Sequence, residues 1–485
     1  MTRAVRVRYA PSPTGIPHVG NTRTALYGWL FARHEGGTFI LRIEDTDRAR
    51  FDERALDGIY ESLRWLGLDW DEGPEAGGDF GPYFQSERLE HYQRFARELV
   101  ELGKAYECYC STERLAELRE AQQQRKEPPR YNRRCRDLTD AERSEQRIEG
   151  ATVVRFASPD GGTTTLHDIV RGDISFENAT LDDFVILKSD GFPTAHLAHV
   201  VDDHLMEISH VLRGDEWVSS APRQILLYEA LGWEPPRFAH LSIILGPDKA
   251  KLSKRHGAVS VMEYRDQGFL PEAMFNFLGL LGWSLDDHTV VISREQFIEH
   301  FTLERLVKNP AVFDLEKLTW MNGVYLRDTP HDRLAGLFTE RLALDLPQAS
   351  IDRATVQALV PLVRERIKRL DELAAMTEGF FVEELPYGRA ELLGKRFRDK
   401  PDVAREALVA AKERAEAFDS WSHAALEEAY RALAEERDLK AGDLFMLLRV
   451  ATTGKAVSPP LFESMELLGR ERCLRRLDEA IAKLA

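Results

Sequence analysis

The stretch Arg8-Tyr-Ala-Pro-Ser-Pro-Thr-Gly-Ile-Pro-His-Val-Gly-Asn21 decides how this chain folds. It closes a short apolar strand (Val5, Val7, Tyr9), turns on Pro11, Pro13 and Gly15, and enters a helix at about Gly20. A strand, a tight turn and a helix N-terminus make a phosphate site, because backbone N–H groups and the helix dipole point at an anion. His18 stands where an imidazole reaches the same anion, and Gly20 and Asn21 open the helix beside it. Far along the chain, Gly246-Pro-Asp-Lys-Ala-Lys-Leu-Ser-Lys-Arg-His-Gly257 reads as a mobile loop with four cations within seven residues, Lys249 to Arg255. Two groups of donors converging on one polyphosphate stabilise charge that grows during phosphoryl chemistry. A P-loop kinase or GTPase needs Gly-x4-Gly-Lys-Ser/Thr, and that string is absent.

Working outward, the helix after Gly20 is amphipathic, with Ala25, Leu26, Trp29 and Leu30 on one face, and Gly36-Gly37 ends it. Phe39-Ile-Leu-Arg-Ile43 is a mostly apolar strand. That order fits a βαβ unit, whose ligands bind past the carboxyl ends of parallel strands. The turn after Tyr9 and the acids Glu44, Asp45 and Asp47 lie there. Residues 84–190 read as an α+β insertion, with strands at Thr152–Phe156 and Ile174–Phe176. The α/β pattern resumes through Ile208–Leu212, a helix over Ser219–Leu231 and the strand Leu241–Leu245. After about 325 strand signals vanish, and Leu359, Leu362, Val363, Ile367 and Leu370 recur at helical spacing. The expected fold is α/β: a Rossmann-like parallel-sheet catalytic domain in two halves (1–83 and 191–254), an inserted domain (84–190), then all-helical regions at 255–325 and 326–485.

A length of 485 residues suits roughly three domains of about 150 residues. Hydrophobic content of 43% and charged content of 30% describe an ordinary soluble protein. No run of about 18 apolar residues occurs, which argues against a membrane span. The N-terminus enters a strand with no apolar signal segment, from which a cytoplasmic location is expected. A net charge of −16 argues against nucleic acid on its face, but local patches do the binding. Arg364-Glu-Arg-Ile-Lys-Arg369 and Lys395-Arg-Phe-Arg-Asp-Lys400 are such patches, each also readable as a solvated helix face. Four cysteines make no disulfide scaffold, but Cys108, Cys110 and Cys135 cluster. Zinc takes four donors, and thiolates with one nitrogen or oxygen suit it. Asp137 and, alternatively, Tyr131 are the oxygen donors at hand.

The first stretch and Lys251-Leu-Ser-Lys-Arg255 resemble the HIGH and KMSKS elements of class I aminoacyl-tRNA synthetases. Ala10-Pro-Ser-Pro-Thr-Gly15 with Arg42-Ile-Glu-Asp-Thr-Asp47 narrows the resemblance to the glutamyl/glutaminyl branch. Val200-Val-Asp-Asp-His204, Val211-Leu-Arg-Gly-Asp-Glu-Trp217 and Leu252-Ser-Lys-Arg-His-Gly-Ala258 narrow it to the bacterial-type glutamyl-tRNA synthetases. That resemblance implies activation of L-glutamate by ATP with Mg2+ and transfer to tRNA(Glu), by a monomer. The insert then holds the acceptor end, 255–325 contacts the stem, and 326–485 grips the anticodon. The resemblance puts His18, Gly20, Asn21, Lys251 and Lys254 on ATP, with His18 and Lys254 catalytic. It puts Arg8, Ala10, Ser12, Glu44 and Arg213 on glutamate, with Asp45 and Asp47 competing for the role of Glu44. Arg364 and Arg366 stand near the place of an anticodon-reading arginine. Some relatives carry Cys-x-Cys and Cys-x-His at the spacing of the cysteine cluster; here Asp137 fills the histidine slot. The chain departs from the family at Ala195, where a substrate-holding tyrosine is usual; His196 or His199 could stand in. The competing reading is a catalytically inactive, synthetase-derived tRNA-binding protein, against which intact His18, Glu44, Arg213 and Lys254 speak.

Overall fold

The structure is a computed structural model that describes residues 4–146, 152–257 and 260–485. In chain order its strands are β1 (Arg6–Tyr9), β2 (Thr38–Leu41), β3 (Ala105–Cys108), β4 (Val153–Phe156), β5 (Thr163–Asp168), β6 (Gly172–Glu177), β7 (Val185–Leu187), β8 (His210–Gly214), β9 (Arg237–Leu241), β10 (Ile244–Leu245) and β11 (Ala311–Val312). Val7 and Tyr9 are buried, so β1 sits inside a sheet, and its neighbours are β2 and β8, both parallel to it. The whole sheet runs β2-β1-β8-β9-β5-β6, parallel except for the edge strand β6. A Rossmann-like parallel sheet is therefore present as the sequence implies.

Two strands of the stretch 84–190 belong to this sheet. β5 pairs with β9 at Asp168 and Phe238, and the Ile169 N–H donates to the Phe238 carbonyl at 2.9 Å. Buried Thr164 and Leu166 fix which face of β5 turns inward. The remaining strands of the stretch, β3, β4 and β7, form a separate antiparallel sheet.

The helix after the first turn spans Val19–His34. Ala25, Leu26, Trp29 and Leu30 are buried as expected, but so are Thr22, Arg23, Tyr27, Phe31 and Ala32. It is covered nearly all round, not amphipathic. One side faces the sheet; the other meets Phe301 through Tyr27 (ring centroids 5.3 Å) and Phe275 through Trp29 (6.1 Å). The next helix, Glu53–Leu66, is capped by the Asp52 carboxylate and stopped by Gly67 in the left-handed region at φ 66°.

These elements belong to one compact unit, residues 1–264 and 274–314. Residues 265–273 and 315–485 form a second, whose described residues are helical with no strand. Its apolar stripes close two cores, one around Leu334, Phe338, Leu359 and Val363 and one around Leu408, Tyr430, Leu447 and Leu477. No helix among the described residues is long and apolar enough to cross a membrane.

One buried cation ties the second unit together. Arg476, fully enclosed, donates to the carbonyls of Thr452 (2.6 Å), Gly379 (2.7 Å) and Val382 (2.8 Å). Burial pulls its guanidinium down to about 10. Arg476→Met fills the space but strands three carbonyls, each costing about 1–3 kcal/mol. Urea unfolding should show a loss of about 3 kcal/mol or more; a loss under about 0.5 kcal/mol would show those carbonyls satisfied another way.

Candidate active site

A cavity of about 700 Å³ opens past the carboxyl ends of β1, β8 and β9, where the parallel-sheet rule places ligands. Its lining includes His18 and Lys251 on one side and Arg8, Glu44, His199 and Arg213 on another. Ala10, Ser12, Gly20 and Asn21 also face it. Residues nearly the length of the catalytic unit apart in sequence therefore share one cavity.

At the phosphate end, His18 is the N-cap of the helix Val19–His34, and its Nδ1 accepts the Gly20 N–H at 3.1 Å. The Asn21 and Thr22 N–H groups turn back to the His18 carbonyl at 2.8 and 3.1 Å. The first turn is thus largely self-satisfied, and Gly20 offers less to an anion than its position suggests. With Nδ1 accepting, the proton of neutral His18 sits on Nε2. The Leu252 backbone lies close enough to the imidazole to favour its protonated form slightly. Burial, then the Lys251 charge, lowers its basicity and keeps it neutral.

The lysine segment is a hairpin with its own bonds. The Gly246 N–H donates to Ala250 at 2.8 Å, and the Leu252 N–H to Ile244 at 3.0 Å. Glycine is required at 246, where a Cβ would lie 2.9 Å from the His256 ring. Arg255 Nη2 is held by Asp248 at 3.0 Å, so this cation belongs to the hairpin. Lys251 is exposed at the cavity wall. Lys254 lies in the short turn Lys254–His256, and its side chain falls outside the described residues.

At the other end, side chains hold one another in a continuous chain. Asp203 accepts Arg8 Nε (3.0 Å), Arg8 Nη2 (3.3 Å) and Arg42 Nη1 (2.7 Å). Arg8 is left one nitrogen, Nη1, for anything in the cavity. Arg42 Nη2 reaches Glu44 Oε1 at 3.3 Å, and Glu44 Oε2 meets His199 Nε2 at 2.7 Å. Gln224 Nε2 donates to His199 Nδ1 at 3.1 Å, which puts the imidazole proton on Nε2, toward Glu44. Gln224 Oε1 accepts Arg213 Nη1 at 2.6 Å, and His240 Nε2 accepts Arg213 Nε at 2.9 Å. His240 Nδ1 donates to Asp168 at 2.6 Å.

Burial alone would raise the Glu44 and Asp203 carboxyls. Glu44 is nonetheless held down by His199 and then Arg42, and Asp203 well below the usual carboxylate range by Arg8 and Arg42. Both are anions at neutral pH. Burial, then the neighbouring Arg8 charge, pulls Arg213 down to about 9. Arg213 Nη2 is buried with no hydrogen-bond partner. A buried, unpartnered guanidinium nitrogen on a cavity wall is a donor awaiting an acceptor.

The geometry separates the competing acids. Asp45 caps a short turn through the Ser86 N–H at 2.8 Å, and Asp47 pairs with Arg50 at the surface. Glu44 alone of the three faces the cavity. Ala195 begins the helix Ala195–Leu205 and does not line the cavity; His196 packs its edge on Phe184. His199, one turn on, takes the place beside Glu44. Asp168, His240, Gln224 and Asp203 escaped the sequence reading as site residues. Only Asp203 stood in a quoted motif; the others lie on β5, β9 and the helix Ala221–Ala230, where no local spacing links them.

The cysteine cluster is real in space. The three Sγ atoms lie within 4.8 Å of one another, with Cys110 and Cys135 3.6 Å apart. Tyr131 Oη is 3.4 Å from both Cys108 and Cys110 Sγ. Around a tetrahedral zinc, two thiolates lie about 3.8 Å apart and a thiolate and an oxygen about 3.5 Å. The donor set fits with Tyr131 as fourth member. Asp137 is exposed and outside the cluster, because the chain turns after Cys135 and carries it away.

In the helical unit, Arg364 Nη2 donates to the Arg327 and Thr329 carbonyls, both at 2.6 Å. It is committed to the fold. Arg366 is exposed, close enough to Arg449 for their charges to interact.

Comparison with known proteins agrees with this geometry. The catalytic domain of the class I tRNA synthetases (E and Q) matches residues 4–320, and an anticodon binding domain matches 333–481. The chain is 54% identical to the glutamate–tRNA ligase of Dehalococcoides mccartyi, over 100% of this chain and 99% of that one. It is 51% identical to that of Moorella thermoacetica, over 98% of each. A glutamate tRNA ligase from Elizabethkingia meningosepticum, solved in complex with its amino acid, superposes with a TM-score of 0.89 at 34% identity, covering 100% of both chains.

The Asp203 cluster makes a pH-dependent prediction. A carboxyl whose folded pKa is depressed contributes stability that is complete above its unfolded value, near about 4, and is lost as pH falls toward the folded value. Asp203→Asn should cost about 3–5 kcal/mol at pH 7 by leaving Arg8 and Arg42 short of an anion. Urea titrations at stepped pH should show that gap narrowing below about pH 4. A gap absent at pH 7, or constant with pH, would contradict the assignment.

Proposed function

The chain belongs to the class I tRNA synthetases of the glutamyl/glutaminyl branch, among the glutamate–tRNA ligases, and from this premise we infer how its cavity works. The reaction is ATP-dependent ligation of L-glutamate to tRNA(Glu) through a glutamyl-adenylate. A carboxylate oxygen of glutamate bonds to the α-phosphorus of ATP, the bond from that phosphorus to the bridging oxygen breaks, and pyrophosphate leaves. A hydroxyl of the terminal tRNA ribose then attacks the acyl carbon, and AMP departs. Phosphoryl transfer of this kind asks for positioning and charge stabilisation, not a protein nucleophile.

The observation that supports the reading is one cavity with Lys251 beside His18 at one end and Arg8, Arg213 and the acid Glu44 at the other. His18, Asn21 and Lys251 flank the triphosphate, whose Mg2+ enters with it, while the Gly20 N–H is held by His18. Lys254, on the same loop as Lys251, would be a second cation for the leaving pyrophosphate. Arg213 Nη2 and Arg8 Nη1 take carboxylate oxygens of glutamate, and Glu44 takes the ammonium, with Ser12 and the Ala10 backbone beside it. The helical unit, through Arg366, reads the anticodon, arginine being suited to base edges. A domain limit at 84, a cytoplasmic location and a monomeric state remain parts of this reading; the limit at 190 does not, because β5 and β6 join the catalytic sheet, and 255–325 is neither all-helical nor one unit, since β11 lies in it and 265–273 belongs with 315–485.

Cys108, Cys110, Cys135 and Tyr131 would hold one zinc ion, closing the fold around β3 with four donors and no open position.

Aminoacylation tests the reading directly. With ATP and labelled glutamate, the purified chain should charge tRNA(Glu), and His18→Ala should lower kcat about 10- to 1,000-fold while moving the KM for glutamate little. No charging of either tRNA(Glu) or tRNA(Gln) would favour the inactive tRNA-binding alternative. For the metal, the chain should contain about one zinc, and Tyr131→Phe should release it at least about 10-fold more readily to a chromogenic chelator. Equal zinc retention in the variant would exclude Tyr131 as a donor.

A further inference from the structure

Four arginines lie along the wall behind the amino-acid end, and three touch carboxylates directly. Arg8 sits on Asp203, Arg42 on Asp203 and Glu44, and Arg88 on Asp202 at 2.7 Å. Arg213 differs. Its Nη1 and Nε go to Gln224 Oε1 and His240 Nε2, two uncharged acceptors. The acid of this chain, Asp168, is set back behind the imidazole and is further occupied by the backbone N–H groups of Val170, Arg171 and His240, at 3.0, 2.7 and 3.0 Å. Arg213, Gln224 and His240 are all nearly or wholly buried, so the geometry is fixed by packing.

We propose that Gln224 and His240 are specificity-determining positioning residues: they aim Arg213 while leaving its charge uncancelled, so that the site demands an anionic side chain and rejects the neutral amide of glutamine. The proposal rests on Arg213 taking the side-chain carboxylate of the substrate. Its logic is electrostatic. A guanidinium only donates, and it can be oriented equally well by a carboxylate or by a carbonyl or imidazole nitrogen. A carboxylate would neutralise it, and a neutral pair has little reason to prefer glutamate over glutamine. Uncharged acceptors orient it and keep the buried positive charge for the ligand, where low polarity makes the charge count for more. His240 serves as a spacer. Its Nδ1–H satisfies Asp168, which fixes the tautomer and presents a lone pair, not a proton, to Arg213.

The test compares Gln224→Glu with Gln224→Met in aminoacylation of tRNA(Glu) by the full chain. Both remove the amide that Gln224 donates to His199; only the first places a carboxylate on Arg213. Gln224→Glu should raise the KM for glutamate with the KM for ATP unchanged. It should also lower the ratio of kcat/KM for glutamate over glutamine about 10- to 100-fold further than Gln224→Met does. Equal ratios in the two variants would overturn the proposal, since positioning alone is kept or improved by glutamate. Arg213→Met separates the premise: an unchanged KM for glutamate in that variant would remove the assignment of Arg213 itself. If Gln224→Glu does not fold, 15N-histidine spectra of the unaltered protein decide. His240 with a bare Nε2 at neutral pH supports the arrangement, and a protonated Nε2 overturns it.

Discussion

One carboxylate organises the catalytic unit. Asp203 leaves its helix between two guanidinium groups, Arg8 from the end of β1 and Arg42 from the end of β2, and accepts from both. Parallel strands bring these ends to one level, and cations crowded there would repel one another without an anion in their midst. The pair Asp202–Asp203 supplies it: Asp202 takes Gln85, Arg88 and Tyr92, and Asp203 takes the two arginines. Buried charges of this kind add little net stability, but they are costly to unbalance, which makes them good devices for specifying one arrangement.

From that anchor the polar chain runs through Glu44 and His199 to Gln224, Arg213, His240 and Asp168. Each histidine in it has its tautomer set by a neighbour, so donors and acceptors alternate without conflict. Arg42 Nε makes no hydrogen bond, though it lies 3.8 Å from Asp202, and two further atoms stand out because the alternation does not reach them. Arg213 Nη2 and the Tyr228 hydroxyl are buried and unpartnered, and the phenol lies in the field of Asp203, Arg8, Arg42 and Arg213. Unsatisfied polar atoms are expensive inside a fold, and Arg213 Nη2 on the cavity wall marks where the fold has been shaped for something other than itself.

Much of this was legible in the sequence because the informative residues are local. The turn after Tyr9 and the cluster of lysines each announce their chemistry within a dozen residues, and the helical spacing after 325 yields helices. What stayed hidden depends on long-range pairing. Strand β5 reads as part of an insertion until its register with β9 is known, and Asp168 at its end is then not recognisable as part of the site. His199 looked like a substitute for the hydroxyl missing at Ala195; in space it is the partner of Glu44. Asp137 matched a spacing, while Tyr131 matched the geometry, because the turn after Cys135 points the former away. The helix Val19–His34 passed for amphipathic because its second covering, Phe275 and Phe301, arrives from distant sequence.

The capping of that helix by an imidazole has a consequence for the cavity. A neutral histidine owns a single ring proton, and His18 commits its other nitrogen to Gly20. The Leu252 backbone of the lysine hairpin and the Lys251 charge both act on the same ring. A phosphate oxygen entering the cavity would engage the one proton left on that ring. The cap of the first helix and the phosphate end of the cavity therefore divide the two nitrogens of a single imidazole.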